Sequence, residues 1–180
     1  NIKPAKSPGF YVGWSTGYNN FTSSLGLHTQ IRLKNKLFLR AGAGIGFWGV
    51  KYAAGLKYDF RSDLRYRKGW SFAAGYAYSS GLSGLQLGSN TTGSGSTTAN
   101  QQNAVTVDAH PVGTFHTSFI FNRFFNKKWS FFFETGYAFA TQKQPWTVTT
   151  PGLKQDAGRK NAKIVQPGGL IFGLGLNRGF

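Results

Sequence analysis

The sequence has no cysteine and no methionine, which excludes a disulfide framework and any thiolate metal site. Acidic residues are scarce, 5 against 21 lysines and arginines, and the formal net charge is +16. No run of about 18 apolar residues occurs, because the long uncharged segment from Gly69 to Val107 is broken by a Ser/Thr/Asn/Gln-rich tract. That excludes a transmembrane helix, and a chain of this kind can enter a membrane only as a β-barrel. The length of 180 residues suits a single domain, 1–180, with a modest core. The chain starts at Asn1, with a signal peptide either removed or never present.

What the chain does have is rings and glycine: 17 Phe, 8 Tyr, 5 Trp and 25 Gly. Bulky residues alternate with small or polar ones at period two, and helical spacing is nowhere sustained. The alternation predicts eight strands, 10–18, 25–34, 37–48, 50–61, 70–79, 105–122, 129–141 and 168–180, joined by segments rich in Gly, Asn, Ser and Lys.

Bulk and charge fall on opposite faces. Phe10, Val12, Trp14, Thr16 and Tyr18 hold one phase, as do Trp129, Phe131, Phe133, Thr135, Tyr137 and Phe139. Over all eight strands this bulky face takes twenty-one aromatics, and the other face takes only Tyr11, Phe38, Trp48 and Phe132. Arg32, Lys34, Arg40, Lys51, Lys57, Asp59, Arg61, Asp108 and Glu134 lie on the second face with thirteen glycines, while Arg178 is the one charge on the bulky face.

Period alone does not say which face points inward, but glycine does. A solvent-facing strand gains nothing from repeated glycine, whereas the inside of an eight-stranded barrel has room for little else, and so many rings would overfill it. The rings are therefore expected to face lipid. With a periplasmic amino terminus, the connections near 35, 62–69 and 123–128 are inner turns. Tight turns near Asn19-Asn20 and Trp48-Gly49 and the long loops 80–104 and 142–167 are then outer, which is the outer-membrane arrangement.

In these features the chain resembles the small bacterial outer-membrane barrels of the OmpA-transmembrane-domain and OmpX type. The final strand, Gly173-Leu174-Gly175-Leu176-Asn177-Arg178-Gly179-Phe180, looks like the terminal signal read by the barrel-assembly machinery, with Gly175 and Phe180 as its matching positions. It departs from that pattern at Arg178 and Gly173. The glycine- and aromatic-rich, basic style resembles proteins of Bacteroidota. The resemblance implies an eight-stranded antiparallel up-and-down transmembrane β-barrel in the bacterial outer membrane, with long loops extracellular and termini periplasmic.

Several residues invite a chemical reading. His116 and Glu134 are nearly equidistant from a turn centred near 125, which places them opposite each other, with Ser118 on the same face. A lipid A deacylase of similar barrel type uses a His/Ser/Glu set, but these three point into the lumen, where a structural pairing is the plainer reading. Asp108 and His110 have a two-residue metal-ligand spacing without a third ligand, and Pro111 makes the strand irregular there. Arg32, Arg40, Lys51, Lys57, Asp59, Arg61, His116 and Glu134 are expected to crosslink the lumen, leaving no continuous wet path for conduction.

A basic inner rim is expected from Lys34, Lys36, Arg65, Arg67, Lys68, Arg123, Lys127 and Lys128, suited to anionic headgroups or an acidic protein surface. Nucleic acid is not the expected partner, because the rings are committed to the lipid face. Loop 80–104 is uncharged and reads as flexible or ordered only by a neighbour; loop 142–167, with Lys143, Lys154, Arg159, Lys160 and Lys163 against Asp156 and with Trp146 as an anchor, reads either as a grip on lipopolysaccharide phosphates or as solvated surface. All long loops follow the fifth strand, so the barrel is expected to be low over 10–61. Trp14, Tyr18, Phe47 and Tyr52 there form a wall on which a larger outer-membrane protein could pack.

The expected role is non-enzymatic, without cofactor, metal or small-molecule substrate: a structural or accessory subunit of an outer-membrane assembly, secretion or transport complex. The rivals are an enzyme acting on surface lipid, a small pore and a soluble lipocalin-like binder.

Overall fold

A computed structural model of the chain describes residues 8–63, 68–88, 104–126, 128–148 and 166–180. Every regular element among them is a β-strand: β1 (Phe10–Tyr18), β2 (Leu25–Lys34), β3 (Leu37–Gly46), β4 (Gly49–Asp63), β5 (Lys68–Ser79), β6 (Leu82–Gly88), β7 (Ala104–Ala109), β8 (Val112–Phe124), β9 (Trp129–Ala140), β10 (Trp146–Val148) and β11 (Gly169–Gly179). Eight of them close an antiparallel up-and-down barrel in the ring order β1-β11-β9-β8-β5-β4-β3-β2. Closure leaves the barrel no free edge.

The alternation sorts side chains as a pleated ring must. Bulky residues point out: Trp14 is 42% exposed, Leu27 66% and Phe119 53%. On the outside of β5 and β8 three cross-strand ring pairs, Trp70–Phe121, Phe72–Phe119 and Tyr76–Phe115, have centroids 4.9, 5.4 and 5.2 Å apart. Each such pair stabilises the ladder by about 0.5–1.5 kcal/mol beyond its area burial. The four rings of opposite phase, Tyr11, Phe38, Trp48 and Phe132, are all buried.

The structure corrects the strand 105–122. It is two strands in two sheets, β7 and β8, divided at His110-Pro111, where proline offers no N–H to a ladder. Nor are the two long loops without strands: 80–104 contributes β6, and 142–167 contributes β10. β10, β7 and β6 form a three-stranded sheet at the end of the barrel away from the chain termini. Trp48, Val107, Ala109, Val112 and Trp146 make its apolar core. Trp48, from the β3–β4 turn, also donates through Nε1 to the carbonyl of His110 at 3.1 Å. Trp146 is thus buried in this core and is not a surface anchor.

The β1–β2 connection is a further correction, being no tight turn but a tongue that folds into the barrel. Left-handed residues Asn19 (φ 50°) and Ser23 (φ 70°) bracket it, and Asn20, Phe21 and Thr22 are 0, 4 and 0% exposed. Thr22 is held by Ser15, with 2.5 Å between their hydroxyl oxygens, and the Asn20 carbonyl accepts from Lys51 Nζ at 2.8 Å. The inward-facing glycines make room for it. A Cβ at Gly44 would collide with the carbonyls of Thr22 and Leu25, one at Gly42 would lie 2.9 Å from the Thr22 methyl, and one at Gly173 2.9 Å from Asn20 Cβ.

Gly44→Ala should therefore lower barrel stability by about 1–3 kcal/mol, the range for overpacking, while Gly9→Ala, whose Cβ meets nothing within 4 Å, should not. Urea unfolding curves of the two variants check this, and equal midpoints would contradict the packed tongue.

Candidate functional site

Among the described residues the interior is the most elaborated polar site. Arg40 on β3 and Glu134 on β9 stand four strands apart in the ring of eight, on opposite walls, and their side chains meet across the lumen. Arg40 Nη1 and Nη2 donate to the two carboxylate oxygens at 3.3 Å each, and Ser118 Oγ donates to Oε1 at 2.6 Å. Both charged residues are nearly inaccessible, at 2 and 3% exposure, and the guanidinium also lies over the Phe21 ring, 4.4 Å from its centroid. A fork that satisfies both oxygens is the geometry that lets an ion pair survive burial.

Further contacts extend the crosslinking in both directions. Toward the end that holds the chain termini, Lys57 pairs with Asp59 at 3.2 Å, Ser71 Oγ donates to Asp59 Oδ1 at 2.7 Å, and Asn122 reaches Ser71 at 3.3 Å. Arg32 donates to the Pro8 carbonyl at 2.8 Å and, like Lys57, lies over Phe38. The cavity among Tyr11, Gln30, Lys57 and Asp59 has a volume of about 20 Å³, room for one water. Toward the other end, Lys51 is committed to the tongue.

No family model and no curated protein matches the chain.

The histidines do not take their expected places. The register sets His116 opposite Ala138 and Glu134 opposite Ile120, because the β8–β9 turn is centred two residues later than the sequence suggested. His116 Nε2 is paired with Thr114 Oγ1 at 2.8 Å, and Ser118 alone of that group bonds Glu134. Asp108 and His110 lie outside the barrel: Asp108 Oδ1 accepts from the Gly84 N–H at 2.7 Å, and His110 Nε2 is 3.2 Å from Thr147 Oγ1. Among the described residues no three His, Asp or Glu converge as metal ligands. Arg61 stands opposite Trp70 after a register shift at Asp59, and its side chain lies outside the described residues.

At the terminus end, Lys34 and Lys36 are exposed on the β2–β3 turn, and Lys68 and Arg123 are Cα partners on β5 and β8. Lys128 caps the β8–β9 turn, where Asn126 Oδ1 accepts two backbone N–H groups. Arg65, Arg67 and Lys127 lie outside the described residues, as do Lys154, Asp156, Arg159, Lys160 and Lys163 of the long loop. Trp14, Tyr18, Phe47 and Tyr52 point outward on the β1–β4 side, 38–59% exposed. Phe180 donates its N–H to the Phe10 carbonyl at 2.9 Å, and the Phe132 ring lies over Gly175.

Sequence reasoning missed the tongue and the polar partners His28 and Asn177, which pair at 2.7 Å above Gly13. The signal was there for the second: Gly13 faces both residues in the ladder, and only glycine lets that bond cross it.

Glu134→Gln should destabilise the barrel by about 3–5 kcal/mol, because it leaves a buried guanidinium without its counter-charge, and an added Arg40→Met should recover most of that loss. Chemical unfolding of the single and double variants measures both; an unaffected single variant would contradict the crosslink.

Proposed function

We propose that this chain is an integral β-barrel of a bacterial outer membrane, of the OmpA-transmembrane-domain and OmpX type, with no catalytic role. It serves as a structural or accessory subunit of a larger outer-membrane complex. The observation that carries the reading is the inversion of ordinary burial: rings and aliphatic chains cover the exterior, while Arg40, Lys51, Lys57 and Glu134 are buried inside. Water penalises such an exterior, and a hydrocarbon surround does not. Short connections at the terminus end and an added sheet at the other support termini in the periplasm and loops outside the cell. Phe180 and Gly175, on the closing strand, are proposed as the assembly signal.

The accessory role rests on shape. β1 to β4 are joined by an inward tongue and a two-residue turn, whereas β5, β8 and β9 carry the three-stranded sheet. A partner can overhang the low side and pack on Trp14, Tyr18, Phe47 and Tyr52; lipid and lipopolysaccharide cover the rest.

The rival readings find less support. A lipid-cleaving enzyme needs Ser118 activated by a histidine at the surface, but Ser118 is buried and donates its hydrogen bond to a carboxylate that Arg40 already holds. A pore needs an open path, and a soluble binder needs an apolar interior.

A photoreactive residue at Tyr52, in native membranes, should crosslink a second protein in the outer-membrane fraction. The same residue at Phe133, on β9 and three strands away round the ring, should not. Protein adducts from neither position would contradict the accessory role.

A further inference from the structure

The exterior is not uniform. Rings pair across β5 and β8, but the wall of β3 and β4 thins to methyl groups: reading up from the terminus end, the opposed pairs are Leu37–Tyr58, Leu39–Leu56 and Ala41–Ala54. Thr29 and Ala43 continue the low surface beside them. The result is a furrow of aliphatic floor flanked by Ile31 and Phe72, both outward-facing.

At the foot of this furrow lies a groove of about 630 Å³ lined by Lys34, Asn35, Lys36, Leu37 and Tyr58. Both lysines are exposed, and among the described residues neither has an ion-pair partner. The nearest acid along β4, Asp59, is already committed to Lys57 and Ser71 on the inside. Two exposed ammonium groups, an amide and a phenol thus stand at the junction of a basic rim and an apolar slot.

We propose that this groove and furrow hold one anionic glycerophospholipid, an inference that rests on the membrane reading above. Lys34 and Lys36 take the phosphodiester and the second polar group of the head, for which lysine is a suitable point charge. Tyr58 supplies an amphipathic edge at the level of the glycerol. The acyl chains lie on Leu39, Leu56, Ala41 and Ala54, with Tyr76 beside Ala54 and Tyr52 above as the rings that bound them. A zwitterionic headgroup brings its own cation against two lysines and is disfavoured. An acidic protein surface satisfies the lysines but has no use for the furrow. The lipid lies at the terminus end of the wall, below the level at which a partner overhangs the opposite end.

The test is native mass spectrometry of the full chain released from mixed phosphatidylcholine–phosphatidylglycerol bilayers. One phosphatidylglycerol should be retained in preference to phosphatidylcholine. Lys34→Gln with Lys36→Gln should reduce that retention by about tenfold or more. Ala54→Phe, which fills the furrow, should also reduce it. Arg123→Gln with Lys128→Gln removes the same charge from the turn diametrically across the ring and should leave it unchanged. Equal loss in both double variants would reduce the site to diffuse rim charge. Displacement by inorganic phosphate would make it a free-anion site, and displacement by polyglutamate would assign it to an acidic protein; each overturns the proposal. A chain that enters bilayers but retains no phosphatidylglycerol contradicts the lipid site alone, whereas a chain that enters no bilayer contradicts the membrane reading beneath it.

Discussion

A closed ring of eight strands has two surfaces, and its inner one has room for only a few rings. Most inward positions hold either a residue small enough to leave space or a polar chain that finds a partner across the lumen, and the few inward rings pack on those chains, Phe38 under Arg32 and Lys57 and Phe132 against His28. The Arg40–Glu134 fork meets the second demand and Gly13, Gly42 and Gly44 meet the first. Buried charge is costly, so the fork contributes specificity more than stability: it admits one register of opposite walls in which both carboxylate oxygens are satisfied.

The tongue belongs to the same constraint. Glycines at Gly26, Gly42, Gly44 and Gly173 would leave a void if nothing filled them, and a void forfeits the dispersion contacts of its lining. Asn20, Phe21 and Thr22 fill it, and Phe21 gives the Arg40 guanidinium a ring to lie on. Plug, ion pair and glycines therefore form one unit, in which substitution of any member leaves a clash, a gap or an unpaired charge. The proposed lipid wall follows, because bulk driven off the inside has only the outside to occupy.

Much of this was legible in the chain. β1 and β2 run over the expected residues 10–18 and 25–34, because strict alternation marks both strand and face. The buried phase of Tyr11, Phe38, Trp48 and Phe132 was visible in the same way. The added sheet was not, since β6 and β10 are short and carry too few bulky residues to display a period. The tongue reads locally as turn chemistry, Asn-Asn-Phe-Thr-Ser-Ser, and its inward course depends on glycines elsewhere in the chain. The pairing of His116 with Glu134 failed through a small displacement of one turn, which shifts every pair on the hairpin.

The central claim, that the rings stand in acyl chains, is tested most directly by tryptophan quenching in vesicles of brominated phospholipid. Trp14, Trp70 and Trp129 face outward, while Trp48 and Trp146 are buried in the end sheet. The account predicts strong quenching of the first three relative to ordinary vesicles, with a residual emission that Trp48→Phe and Trp146→Phe remove. Emission that is the same in brominated and ordinary vesicles would contradict it.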